Sequence, residues 1–154
     1  MKRDQDDMFT TIDALKRASM YKEGSRIHAL EQSLHEMSYA VFRGICYKAF
    51  NTRQTFSEAV ATCGEDGGTL AMPRDAEINA FLISLYKSVS DSTCGYFWFG
   101  LHDQREEGNF EWMDGSALGT YNSWYPGEPN NNAGREDCVL YQQVHKDMWN
   151  DGRP

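Results

Sequence analysis

Three short segments of this 154-residue chain gather oxygen ligands: Glu128-Pro129-Asn130, Glu136-Asp137-Cys138 and Trp149-Asn150-Asp151. Carboxylate and amide oxygens suit hard cations, and Ca²⁺ takes roughly six to eight of them. The set Glu128, Asn130, Glu136, Asn150 and Asp151 contains neither His nor Cys, which favours calcium over zinc or copper. An Asn beside a Glu adds a second capacity. The carboxylate accepts hydrogen bonds and the amide NH₂ donates them, so each Glu/Asn pair suits one sugar hydroxyl that also touches the metal. A plainer reading is that Asn, Pro and Gly cluster here to make turns and that the acids solvate a loop. The nearby Trp149-Asn150-Asp151 weighs against it.

The elements that must position these segments read as mixed α and β. The stretch from Gly115 to Arg135 is a long loop for a compact domain. A bound cation would explain how an Asn/Gly-rich loop holds one shape. Upstream, Val41 to Asn51 alternates enough for one or two strands. Thr55 to Cys63 suits a helix, with Phe56, Ala59, Val60 and Cys63 on one face, and Gly67-Gly68 stops it. Thr69 to Met72 is a short strand, and Asp75 to Lys87 repeats a helical pattern in Ile78, Phe81, Leu82 and Leu85. From Tyr96 onward the chain is short strands and loops.

Residues 1–41 differ in character, being rich in charge and in helix formers and free of Pro. Ile27, Leu30, Leu34, Met37 and Val41 recur at three- and four-residue steps, the spacing of a coiled-coil seam, with Ile12 and Leu15 on an earlier turn and Gly24 between. Two readings stand: an oligomerising helical neck, or an amphipathic helix lying on its own domain.

The order and spacing of a larger set of residues resemble a C-type lectin domain over residues 42–154. These are Cys46-Tyr47, Cys63 with Gly67-Gly68-Thr69-Leu70-Ala71, Phe97-Trp98-Phe99-Gly100-Leu101, Phe110-Glu111-Trp112, Asp114-Gly115 and Trp124, followed by the three segments above. The resemblance implies an α+β C-type lectin-like fold of two helices, small antiparallel sheets and a long calcium-binding loop, preceded here by an N-terminal helix. Its Glu-Pro-Asn loop with Trp-Asn-Asp resembles the mannose-type site. It implies that Glu128, Asn130, Glu136, Asn150 and Asp151 hold calcium and also bind two vicinal equatorial hydroxyls of mannose, fucose or N-acetylglucosamine. It implies a cis bond before Pro129. An auxiliary calcium site would use Asp103, Glu107, Asn131 and Asp137, with Asn131 standing where an Asp is common. Repetition through a collectin-like neck, trimeric in that branch, would suit pattern recognition in innate immunity or agglutination by avidity. The alternative is a lectin-like module that binds a protein or another non-sugar ligand.

The same resemblance implies framework disulfides from Cys63 to a cysteine at the far C-terminus and from Cys138 to one shortly after Trp149-Asn150-Asp151. Both partners would lie beyond Pro154, so the chain reads as a C-terminally shortened member. Cys46 and Cys94 then remain, and one bridge between them is among the three pairings four cysteines allow. Framework cysteines and calcium point to an extracellular, secreted protein, although the polar opening Met1-Lys2-Arg3-Asp4 shows no signal peptide. A net charge of −8 argues against a nucleic-acid partner. No apolar run approaches a membrane span. The abundant aromatics read mainly as core, with Trp124 and Tyr125 as candidates to flank a sugar ring. Catalysis finds no support: no motif selects a pair from Glu106, Glu107 and Glu111, and His28, His35, His102 and His145 are scattered without metal spacing.

Overall fold

The computed structural model describes residues 9–16, 39–91 and 95–154. Strand β2 (Ala40–Phe42) turns at Arg43-Gly44 into β3 (Ile45–Gln54). Both turn residues have positive φ, 50° and 77°, the backbone that tight hairpins need and that glycine adopts without strain. Helix α1 (Phe56–Glu65) starts at Thr55, whose side chain accepts from the Glu58 N–H while the Glu58 carboxylate accepts from the Thr55 N–H. This reciprocal cap satisfies two of the donors a helix start leaves open. Strand β4 (Thr69–Leu70) and helix α2 (Ala76–Val89) follow, the latter capped by Asp75. Then come β5 (Tyr96–His102), β6 (Glu111–Trp112), β7 (Cys138–Gln142) and β8 (Met148–Gly152).

The earliest described strand, β1 (Phe9–Lys16), corrects a sequence expectation. These residues were expected to belong to an N-terminal helix spanning residues 1–41, and they are extended instead. Thr10, Thr11 and Ile12 are β-branched and sit easily in a strand. Helix propensity is a weak preference that tertiary pairing overrides, and here β1 pairs with three other strands. It runs antiparallel to β3 and β4 and parallel to β5. It thereby bridges two small antiparallel ladders, β2–β3 and β6–β5–β7–β8. Val41, expected at the end of the coiled-coil seam, lies in β2 and is half exposed. The remaining seam positions, Ile27, Leu30, Leu34 and Met37, lie outside the described residues, as does Cys94.

Strand β5 organises the core. Phe97, Phe99 and Leu101 enter one apolar cluster with Leu82 and Tyr86 of α2, while Trp98 enters another with Phe56, Ala59 and Cys63 of α1. The two-residue period of a strand sends alternate side chains to opposite faces, and each face is covered by a helix. Gly100 is required between them. A Cβ there would lie 2.8 Å from the Leu70 carbonyl oxygen, because the Gly100 N–H donates to the Ala71 carbonyl at 2.7 Å. In α2 the buried face is Asn79, Leu82 and Tyr86, with Ile78, Phe81 and Leu85 only partly buried. The sequence pattern therefore misplaced the centre of that face by about one position. Cys63 and Cys138 are both fully buried in the α1 cluster, burial pushes the Cys138 thiol up, and Cys46 carries a free thiol.

Candidate functional site

Trp149 fixes the far side of the site. It is fully buried and meets the rings of Phe99, Trp112, Tyr121 and Trp124 at centroid distances of 5.2, 6.1, 5.9 and 5.6 Å. Its indole Nε1 donates to Asn79 Oδ1 at 3.0 Å, and the Tyr141 hydroxyl donates to the same oxygen at 2.6 Å. A buried amide oxygen with two donors is fully used, so Asn79 pins β7 and β8 to α2. Asn150 and Asp151 follow Trp149 directly on β8 and inherit its position.

The loop from Gly115 to Arg135 is ordered by the same tryptophan. The Trp149 N–H donates to the Ser123 carbonyl at 2.8 Å, and the Tyr125 N–H donates to the Trp149 carbonyl at 3.0 Å. The Glu128 N–H then donates to the Tyr125 carbonyl at 2.8 Å, and the Glu128–Pro129 bond is cis. Asp151, almost fully buried, accepts from the N–H groups of Asn130 at 3.0 Å and Asn131 at 2.7 Å. Its carboxylate thus ties the loop to β8 while keeping lone pairs for another partner.

Four of the five principal candidates meet directly. Asn130 Nδ2 donates to Glu128 Oε1 at 3.0 Å. The Asn150 amide lies between Glu128 and Gln142. In one orientation its Nδ2 donates to Gln142 Oε1 at 3.0 Å, with its oxygen facing Glu128. Turned over, its NH₂ donates to Glu128 Oε2 at 2.6 Å and Oε1 at 2.9 Å. Glu136 closes the group: its Oε2 accepts from the Asn132 N–H at 2.9 Å, and its own N–H donates to Asn131 Oδ1 at 3.1 Å. The Glu128 carboxyl is pushed up to about 7 by burial, then by Asp151 and Glu136. Glu136 is also raised, chiefly by burial and secondarily by Asp151, against the opposing pull of the Asn132 N–H and Arg153.

Of the auxiliary set, Asp103, Glu107 and Asp137 each offer an oxygen within 4.8 Å of the others. Asn131 Oδ1 accepts the Glu136 N–H at 3.1 Å, which leaves that oxygen a second lone pair. Asp103 is 2% exposed; its Oδ2 accepts from the Gly108 N–H at 2.8 Å and its Oδ1 has no partner. Burial and the charges of Asp137 and Asp151 raise its pKa, and Glu107 is raised by desolvation and by Asp103 and Asp137. An orphaned buried carboxylate oxygen facing further carboxylates is what a hard cation would satisfy.

The expected flanking aromatics divide. Trp124 packs inward on Phe110 and Trp149, whereas Tyr125 stacks on His145 at 3.9 Å with the rings 12° apart. Two residues that matter were missed. Asn79 carried one signal, a polar residue inside an apolar helical pattern. Gln142 carried none, because its contact with Asn150 depends on the register of β7 and β8.

Comparison with known proteins follows the same outline. The family model described as the Lectin C-type domain matches residues 52–153. The chain is 40% identical over 119 residues to an alpha-N-acetylgalactosamine-specific lectin of Patiria pectinifera, a match spanning 73% of this chain and 70% of that one. It is 37% identical over 105 residues to collectin-10 of Gallus gallus, covering 68% of this chain but only 36% of the relative. Among solved structures, the C-type lectin CEL-I from Cucumaria echinata superposes with a TM-score of 0.70 at 29% identity, over 75% of this chain and 86% of that one. Human lithostathine gives 0.67 at 25% identity, over 89% and 90%.

Proposed function

We propose that this chain, which belongs to the C-type lectin family, binds glycans in a calcium-dependent way through Glu128, Asn130, Glu136, Asn150 and Asp151. Membership of that family places it among carbohydrate-binding proteins and not among enzymes. The observation that carries the site is the convergence of carboxylate and amide groups from the Glu128 loop, Glu136 and β8 on one point, with Glu128 raised by its neighbours' charges. Calcium, when bound there, would neutralise those charges and ligate two sugar hydroxyls. The protein supplies the complementary polarity: carboxylates accept from each hydroxyl, and the Asn130 and Asn150 NH₂ groups donate to it. Asp103, Glu107, Asn131 and Asp137 would hold an auxiliary calcium.

The Glu-Pro-Asn loop supports mannose, fucose or N-acetylglucosamine as the ligand class. A second reading has its own observation: the 40%-identical Patiria relative is named for N-acetylgalactosamine. The two differ in whether the vicinal hydroxyls are both equatorial. An extracellular location, a role in pattern recognition or agglutination, and self-association through the heptad residues Ile27 to Met37 belong to the same proposal. No helix among the described residues is long and apolar enough to cross a membrane.

Passing the protein over mannan-agarose and N-acetylgalactosamine-agarose, each in calcium and in EDTA, tests this. Retention on mannan that EDTA abolishes is expected. EDTA-sensitive retention on N-acetylgalactosamine alone would transfer the site to the second reading. A folded protein retained on neither would overturn sugar binding.

A further inference from the structure

We infer that Tyr96 and Gln142 read a second sugar residue, so that the ligand this protein prefers is an oligosaccharide and not a single sugar. The inference rests on the mannose-type calcium site proposed above and extends it to two residues outside its ligand set. The register of β5, β7 and β8 sets Tyr96 opposite Gln142, Gln142 opposite Met148, and Leu140 opposite Asn150. Partners across antiparallel strands share a sheet face, as do residues two apart on one strand. Asn150, Gln142 and Tyr96 therefore lie on one face, in a row that leads from β8 at the proposed site across β7 to β5. Their side chains touch in that order. The Asn150 and Gln142 amides meet at 3.0 Å, and Gln142 Nε2 lies 3.4 Å from the Tyr96 hydroxyl.

Much of this face is covered, and the part beside Asn150 is not. Trp98, Leu140 and Cys138 lie on the same face and are buried against Phe56, Ala59 and Cys63 of α1. Tyr96, by contrast, is 38% exposed, and Gln142 and Asn150 are only partly buried. From β8 to β5 is two strand spacings, about 10 Å, which gives a second ring room beside the one on the calcium. The chemistry of the row suits a sugar. An amide has two N–H donors and two lone pairs, more than the two contacts of Gln142 use. A contact of 3.4 Å is also long for a hydrogen bond and yields readily to a better partner. The phenol of Tyr96 sets a donor and an acceptor on an apolar ring, which matches the hydroxyls and the C–H face of a pyranose. The two aromatics that the sequence offered for this task are committed elsewhere. Trp124 packs on Phe110 and Trp149, and Tyr125 carries His145 on one face of its ring.

The test is calorimetric titration of wild type and Tyr96→Ala, in saturating calcium, with methyl α-mannoside and with the α1–2, α1–3 and α1–6 mannobioses. For wild type, at least one mannobiose should bind about three- to tenfold more tightly than the monosaccharide, the value of one net hydrogen bond. That gain is counted beyond the statistical advantage of offering two mannose residues. Tyr96→Ala should lose the gain while its affinity for methyl α-mannoside holds, a split that a general loss of structure would not produce. A second readout needs no variant: the Tyr96 ring signals in the NMR spectrum of wild type should shift with the favoured mannobiose and stay in place with the monosaccharide. Wild type that binds methyl α-mannoside and every mannobiose equally would overturn this inference alone, as would a Tyr96→Ala variant that keeps the full gain. Wild type that binds no methyl α-mannoside would overturn the mannose-type site and this inference with it.

Discussion

The acids of the scaffold and those of the long loop sit in opposite electrostatic circumstances. Asp75, at the start of α2, is held below the usual carboxylate range by the Ile78 N–H and by Arg43. Asp114, beside β6, is lowered to about 2 by the hydroxyl and N–H of Ser116 and by Arg74. Each has donors supplied by the protein. In and around the loop, Asp103, Glu107, Glu128 and Glu136 are all raised, by desolvation first and then by neighbouring carboxylates, Asp137 and Asp151 foremost. The scaffold completes its own charge balance, while the loop concentrates negative charge that its own chain leaves largely uncompensated. Regions that carry strain or frustration tend to be the ones that meet a ligand.

The largest effect should come from breaking the scaffold at its contact with the loop. Trp149→Ala removes a buried indole and one of the two donors on Asn79. It should cost about 3–5 kcal/mol, a large share of a typical domain's stability. Chemical denaturation should show the loss, and sugar retention should vanish with the fold. Asn150→Asp should have the opposite profile. It should abolish retention on mannan-agarose while leaving the melting temperature in EDTA within about 3 °C of wild type. Unchanged retention would remove Asn150 from the site.

The smallest effect is in pH. Glu128 has a folded pKa near 7 against an ordinary 4.5, so the folded calcium-free chain binds the proton more tightly than the unfolded chain. Its contribution to stability is therefore present below about pH 4.5 and declines as pH rises toward 7. Because the group is partly exposed, screening keeps the change small, about 2–4 °C in melting temperature. Glu128→Gln should flatten that slope, and excess calcium should reverse it by binding the folded state. Asp114 titrates the other way: its contribution is present above about pH 3.8 and is lost only as pH falls toward 2. The two regions thus separate on one pH axis.

Much of this was legible in the sequence because motif identity carries its own geometry. The Glu128 loop and the Trp149-Asn150-Asp151 strand could be read as partners, and the α1 and α2 boundaries fell within two residues at each end. What escaped depends on contacts distant in sequence. Strand β1 was read as helix because propensity is local, whereas its partners lie at residues 45–54, 69–70 and 97–98. The engagement of Asn131 with Glu136 depends on how a loop folds back on itself, and no composition rule announces that. Gln142 escaped for a related reason, since a slip of one residue between β7 and β8 would have placed it on the other face.

The central place of β1 also has a consequence in time. A chain leaves the ribosome from its N-terminus, at about 5–20 residues per second. Strand β1 ends at Lys16, but its parallel partner on β5 begins with Phe97. Roughly 4–16 s of synthesis therefore separate the two at those rates. During that interval β3 can dock on one side of β1 and β4 on part of the other, while the stretch of β1 that meets β5 keeps its outer backbone donors and acceptors unpaired. Such an edge invites pairing with another chain. The protein's most exposed moment thus falls during its own synthesis, before the loop that carries its ligand chemistry has been made.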